Sequence, residues 1–282
     1  IRHYAHGIGD DNPLWCDPEY ARRSPYGDVI ALPSFLLSCD RIASGYVGGL
    51  PGVHAMWAGA NFEWHKVIRR NTAIRTRAYL KDLIDHQTRF ARRSIQQIYH
   101  VDFHDESNGD LLASCDSWCF RTDRDVARES GTKYTEVMDK PPRVYTQAEL
   151  DRVYRLYDAE EVRGDKPRYW EDVKVGDALP TLAKGPMTVT GFICYAQGWG
   201  GLYIRANKLA YKMQRKHPGT GIKNRFGIPD CPERVHWEPE FARKVGVPGA
   251  YDYGPERFSW MTHAVTNWIG DDGFLRSTKC EV

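Results

Sequence analysis

No apolar run in this sequence approaches the roughly 20 residues of a membrane-spanning helix, and no signal-peptide pattern opens it. A membrane span and a secretory leader are therefore not expected. The first residue is Ile1 and not methionine, so a trimmed start is expected. Seven cysteines (Cys16, Cys39, Cys115, Cys119, Cys194, Cys231 and Cys280) form no CxxC pair and no zinc-ligand spacing. Reduced thiols in a cytoplasmic protein are the simplest interpretation. Cys115 and Cys119 share a strand-like segment, where four residues span roughly 13 Å, too far for a disulfide. Charge of one sign is also lacking: 39 Lys and Arg against 37 Asp and Glu leave a net +2. Nothing in that balance calls for a nucleic-acid partner.

What is present begins with length. At 282 residues the chain exceeds the about 100 to 200 of a single domain, so two domains or one duplicated unit are expected. Residues 1–23 carry helix and turn signals, and residues 24–33 are rich in proline and glycine. From Ser34 to Tyr46, residues Phe35, Leu36, Cys39, Ile42 and Ala43 recur at helical spacing, and Gly48-Gly49 ends the run. From Ala58 to Arg124 the segments turn strand-like, separated by polar turns. One helix followed by antiparallel strands predicts a sheet wrapped around that helix, the hot-dog layout, an α+β architecture. Residues 125–164 read as a connector containing Pro141-Pro142 and a capping box, Thr146 with Glu149, that opens a polar helix. A second unit follows over residues 165–282.

The two units repeat. Tyr4-Ala5-His6-Gly7 matches Tyr195-Ala196-Gln197-Gly198, Glu19-Tyr20-Ala21-Arg22 matches Glu240-Phe241-Ala242-Arg243, and Leu32-Pro33 matches Gly254-Pro255 ahead of a helix expected over Glu256 to Trp268. The second copy holds extra residues between the first two blocks, the Lys-, Pro- and Gly-rich stretch from Leu202 to Cys231, which fits a surface insertion. Three blocks in one order predict a tandem (double) hot-dog: residues 1–124 and 165–282, two antiparallel sheets each around a central helix. Their helices are expected side by side and their sheets joined edge to edge.

Gly9-Asp10-Asp11-Asn12-Pro13-Leu14-Trp15, with the wider strings NPLWCDPEYAR, VHWEPEFAR and NWIGDDGFL, resembles the signature of MaoC-like dehydratases and type 2 (R-specific) enoyl-CoA hydratases. That resemblance implies a lyase that adds water reversibly to an α,β-unsaturated acyl-CoA, or another acyl thioester, and needs no further cofactor or metal. In such a family an Asp and a His hold the water, and a backbone N–H at the start of the hot-dog helix, here near Gly254, polarises the thioester carbonyl. A homo- or hetero-oligomer is also implied.

Both copies depart from the family pattern. The first keeps Asp10 and Asn12 but has Trp15 at the histidine position; the second has His236 there but Gly201 at the Asp position. Three arrangements fit: Asp10 meets His236 across the halves; His236 works with Asp252, Glu233 or Glu238; or the chain binds acyl groups without turnover. Each residue also has a purely structural interpretation. Asp10 suits a helix end satisfied by backbone N–H groups, Asn12-Pro13 a turn, His236 an aromatic core, and Gly254 a tight helix entry. Lys66, Arg69 and Arg70, and the run Arg89–Arg93, fit CoA phosphates or, more simply, solvated strand faces. His100 and His104, with Asp102 between them on one strand, stand too far apart for one metal site. A hot-dog thioesterase is the alternative enzyme. Only Asp271 to Val282 follow the second helix, so a C-terminally incomplete chain, or strands supplied by another chain, is expected.

Overall fold

The computed structural model describes residues 1–45, 53–88, 92–123, 140, 141, 143–201, 203–245 and 247–282. The first copy opens with three short helices, α1 (Arg2–Gly7), α2 (Pro13–Cys16) and α3 (Pro18–Arg23). Each boundary has a local cause. Asn12 caps α2 by accepting from Leu14 N, Asp17 caps α3 by accepting from Glu19 N and Tyr20 N, and proline occupies the first position of both. A 3-10 helix (Pro33–Ser38) and four strands follow: β1 (Val53–Trp64), β2 (Ile74–Thr88), β3 (Arg92–Asp105) and β4 (Leu111–Asp123).

After α4 (Gln147–Asp158), whose Thr146–Glu149 capping box is formed, the same order returns. It runs through α5 (Val189–Trp199), a 3-10 helix (Pro232–His236), α7 (Pro239–Lys244), the long α8 (Gly254–Ile269) and β7 (Ser277–Glu281). Between α5 and that 3-10 helix lie α6 (Asn207–Lys216) and the two-residue strands β5 (Ile222–Lys223) and β6 (Pro229–Asp230), which occupy the expected insertion.

The sheet order is β2-β3-β4-β1-β7, antiparallel throughout. Its last strand comes from the second copy: Gly59 pairs with Glu281 and Glu63 with Ser277. Gly59 makes this join possible, because its φ is +156° and a Cβ there would stand 2.3 Å from the Cys280 carbonyl oxygen. The copies are thus joined edge to edge. The expectation of two sheets, each around its own helix, is corrected: the described residues form one five-stranded sheet and the β5–β6 ribbon.

The expected helix from Ser34 to Tyr46 also gives way to the 3-10 helix ending at Ser38. Asp40 explains the break, since its Oδ1 accepts from Ile42 N (2.7 Å) and Ala43 N (3.2 Å) and starts a separate turn. Tyr46, Gly48 and Gly49 lie outside the described residues, as do Arg89 of the basic run and residues 125–139 and 142 of the connector. The sheet packs instead on α8, whose Phe258 is fully buried with its ring 5.2 Å from that of Phe62, beside Trp64 and Phe103. Among the described residues no helix is long and apolar enough to cross a membrane.

Candidate functional site

Asp10 reaches the interior because α1 ends at Gly7, three residues before it. Gly9 takes a φ of +65°, Asp10 N returns to the Ala5 carbonyl (2.9 Å), and the side chain turns inward. Asp10 Oδ1 accepts from Asn12 N at 3.0 Å, so Asn12 holds both Asp10 and the start of α2. Both residues are buried. Trp15, at the position of the family histidine, is buried too, and its indole N–H is turned toward the Asp10 carboxyl. Neither Trp15 Nε1 nor Asp10 Oδ2 has a partner at hydrogen-bonding geometry.

The histidine that the structure brings to Asp10 is His263, not His236. His263 lies on the buried side of α8, with Nε2 3.5 Å from Asp10 Oδ1 and 3.3 Å from Glu160 Oε1. Its Nδ1 is 2.9 Å from Lys184 Nζ, which also donates to the carbonyls of Ile8 and Gly9, each at 2.9 Å. An ammonium only donates, so Nδ1 accepts and Nε2 carries the proton, facing the two carboxylates. Asn267 Nδ2, 3.0 Å from both Nε2 and Glu160 Oε1, would suit the opposite tautomer. The charged Lys184 contact outweighs this neutral amide, because charge-assisted hydrogen bonds are about twice as strong.

Burial raises the pKa of Asp10, an effect that His263 opposes, and lowers that of Lys184. The hydrogen bond from His263 holds Glu160 below the usual carboxylate range. Two cavities lie beside Trp15. One of about 50 Å³ is bordered by Asn12, Trp15, Trp64, Thr266 and Phe274. The other, about 440 Å³, is lined by Arg2, Trp15, Phe35, Arg69 and Arg70. Trp15 belongs to both walls.

His236 sits elsewhere. Its Nδ1 donates to the Tyr251 carbonyl (2.7 Å), its ring stacks on Tyr253 at 3.7 Å, and burial lowers its pKa to about 4. Of the acids proposed for it, Asp252 pairs with Arg257, Glu238 accepts from Arg234 (3.2 Å), and Glu233 accepts from the Tyr253 hydroxyl (3.3 Å) and Tyr203 N. Gly254 begins α8 flat against Trp57, where a Cβ would lie 2.6 Å from the indole ring. His100 bonds Asp116 and Asp102 on the sheet (2.7 and 3.0 Å), apart from this site.

His263 was absent from the residues singled out by motif matching. A signal for it exists: Ser259, Thr262, His263, Thr266 and Asn267 recur at i, i+3, i+4, i+7 and i+8, and all are buried. A polar stripe on the inward side of a helix marks a buried polar network.

Residues 1–96 match the family described as FAS1-like, dehydratase domain region. The chain is 45% identical over 47 residues to a UPF0336 protein of Streptomyces avermitilis (17% of this chain, 31% of the relative). It is 35% identical over 88 residues to a UPF0336 protein of Saccharopolyspora erythraea (29% of this chain, 56% of the relative). The matched stretches thus span less than two thirds of these curated relatives. A solved structure titled MaoC-like dehydratase, 17% identical, matches 100% of this chain and 76% of its own with a TM-score of 0.64, a likeness of fold.

Proposed function

We propose that the chain adds water to, and removes it from, the α,β-carbons of an acyl thioester, with Asp10 and His263 as its acid–base pair, a reading supported by the dehydratase-region match over residues 1–96 and by the MaoC-like fold. The observation that carries this is the 3.5 Å approach of His263 Nε2 to Asp10 Oδ1, which sets a histidine from the second copy beside the signature carboxylate of the first. Water held between them loses a proton to Asp10 as its oxygen bonds to the β-carbon, and that proton returns to the α-carbon. His263 orients the carboxylate and water through Nε2–H, and Lys184 fixes the tautomer that allows it.

A cavity of about 50 Å³ admits water but no acyl chain. Substrate entry therefore goes through the wider cleft, with Trp15 moving aside. The cytoplasm fits seven unpaired cysteines. A second reading is favoured by Trp15 itself: an indole cannot act as a base, and a chain carrying it at the histidine position would bind an acyl group without turning it over. Incubation with a medium-chain trans-2-enoyl-CoA separates these. Loss of enoyl absorbance without release of free CoA supports hydration, CoA release means a thioesterase, and binding without either supports the non-catalytic reading.

A further inference from the structure

The insertion of the second copy has no counterpart in the first, and its charge differs from that of the rest of the molecule. Residues 203–231 contain seven Lys or Arg and one Asp, a net +6 in a chain whose total is +2, so the remainder carries −4. Several basic side chains elsewhere are answered by carboxylates, as in Lys66–Asp110, Arg70–Asp28, Lys81–Asp116 and Arg276–Glu63. In α6, by contrast, Lys208, Lys212, Arg215 and Lys216 have no ion-pair partner among the described residues.

Their arrangement is ordered. Ala210, Met213 and Gln214 form the half-buried inner side of α6, while Lys208, Lys212 and Arg215 recur at i, i+4 and i+7 along the centre of the exposed side. Leu209 and Tyr211 flank that stripe at 61% and 59% exposure, and Phe226 and Ile228 in the β5–β6 turn stand out at 70% and 58%. An uncompensated positive stripe edged by exposed apolar side chains has the composition of a recognition surface, with charge steering the encounter and apolar contacts holding it.

We infer that the α6 insertion docks an acidic protein surface, one that presents carboxylates to Lys208, Lys212 and Arg215 and apolar side chains to Leu209 and Tyr211. The order of residues disfavours a bilayer. A helix that lies in a membrane interface places its apolar side at the centre and its basic residues at the margins, the reverse of α6. A phosphodiester backbone would answer the charge but leave Leu209 and Tyr211 in water.

The test uses the whole chain and a labelled helical peptide of about 20 residues built from Glu and Leu, followed by fluorescence anisotropy. Competing probes are a single-stranded oligonucleotide and vesicles with and without phosphatidylserine. The peptide should bind, weaken at least about tenfold between low and physiological salt, and bind at least about tenfold more weakly to K208E/K212E/R215E. Replacing Leu209 and Tyr211 by serine should weaken binding without changing its salt dependence. All five positions are exposed, and an unchanged melting temperature confirms that each variant folds. Tighter binding to the oligonucleotide or the vesicles than to the peptide overturns the inference, as does no binding to any probe. None of these readouts involves hydration chemistry, so the docking surface and the Asp10–His263 proposal stand or fall separately.

Discussion

Gly7 and Gly198, one from each copy, lie back to back where α1 crosses α5. A Cβ on Gly198 would stand 2.8 Å from the His3 carbonyl oxygen, and one on Gly7 3.0 Å from that of Cys194. Backbone meets backbone there, so neither side can yield by turning a side chain. Gly198→Ala should cost about 1 to 3 kcal/mol and lower the melting temperature by several degrees. Gly219→Ala, whose Cβ would meet nothing within 4 Å, should change stability by less than about 0.5 kcal/mol. Equal effects in thermal unfolding would remove the close crossing as the reason for glycine.

Lys184 joins the end of α1 to His263. Lys184→Met leaves Asp10 and Glu160 without the nearest cation and frees His263 Nδ1. It should destabilise the fold by about 2 kcal/mol or more in denaturant unfolding. Nitrogen-15 shifts of the His263 ring should also move from the Nε2–H tautomer toward a mixture. A ring that keeps its tautomer in the variant would show that Asn267 and the carboxylates set it without Lys184.

Glu256, buried in the first turn of α8, has its pKa raised by burial to about 8. A raised carboxyl favours the folded state most strongly below its unfolded value, about 4.5, and that contribution is lost as pH rises through 8. It should decline by about 3 to 5 kcal/mol across that window, and Glu256→Gln should flatten the difference. His236 acts with the opposite sign: lowered to about 4, it makes the fold lose stability as pH falls below about 6.5. His236→Phe should remove that acid-side loss while keeping the stack on Tyr253. Stability profiles of the two variants that parallel the parent would contradict both assignments.

Much of this was legible in the sequence for reasons of periodicity and local chemistry. The repeat blocks became α1 with α5 and α3 with α7, and the strands of the first copy formed where alternation placed them. The capping box at Thr146 formed because it depends only on residues three apart. The Ser34–Tyr46 helix failed because its apolar spacing was right but Asp40 competes for the backbone amides that a helix would use. The site was half legible. Asp10 and Asn12 stood in a contiguous motif, whereas His263, Glu160 and Lys184 are distant in sequence and meet only through the packing of the two copies.

The central claim is that Asp10 and His263 act as one unit, and a double-mutant cycle on enoyl-CoA hydration tests it most directly. Asp10→Asn and His263→Gln should each lower kcat by about a hundredfold or more, and the double variant should be no slower than the worse single one, because removing either partner already abolishes the held water. Independent, multiplying losses, or a rate unchanged in either single variant, would contradict the pair.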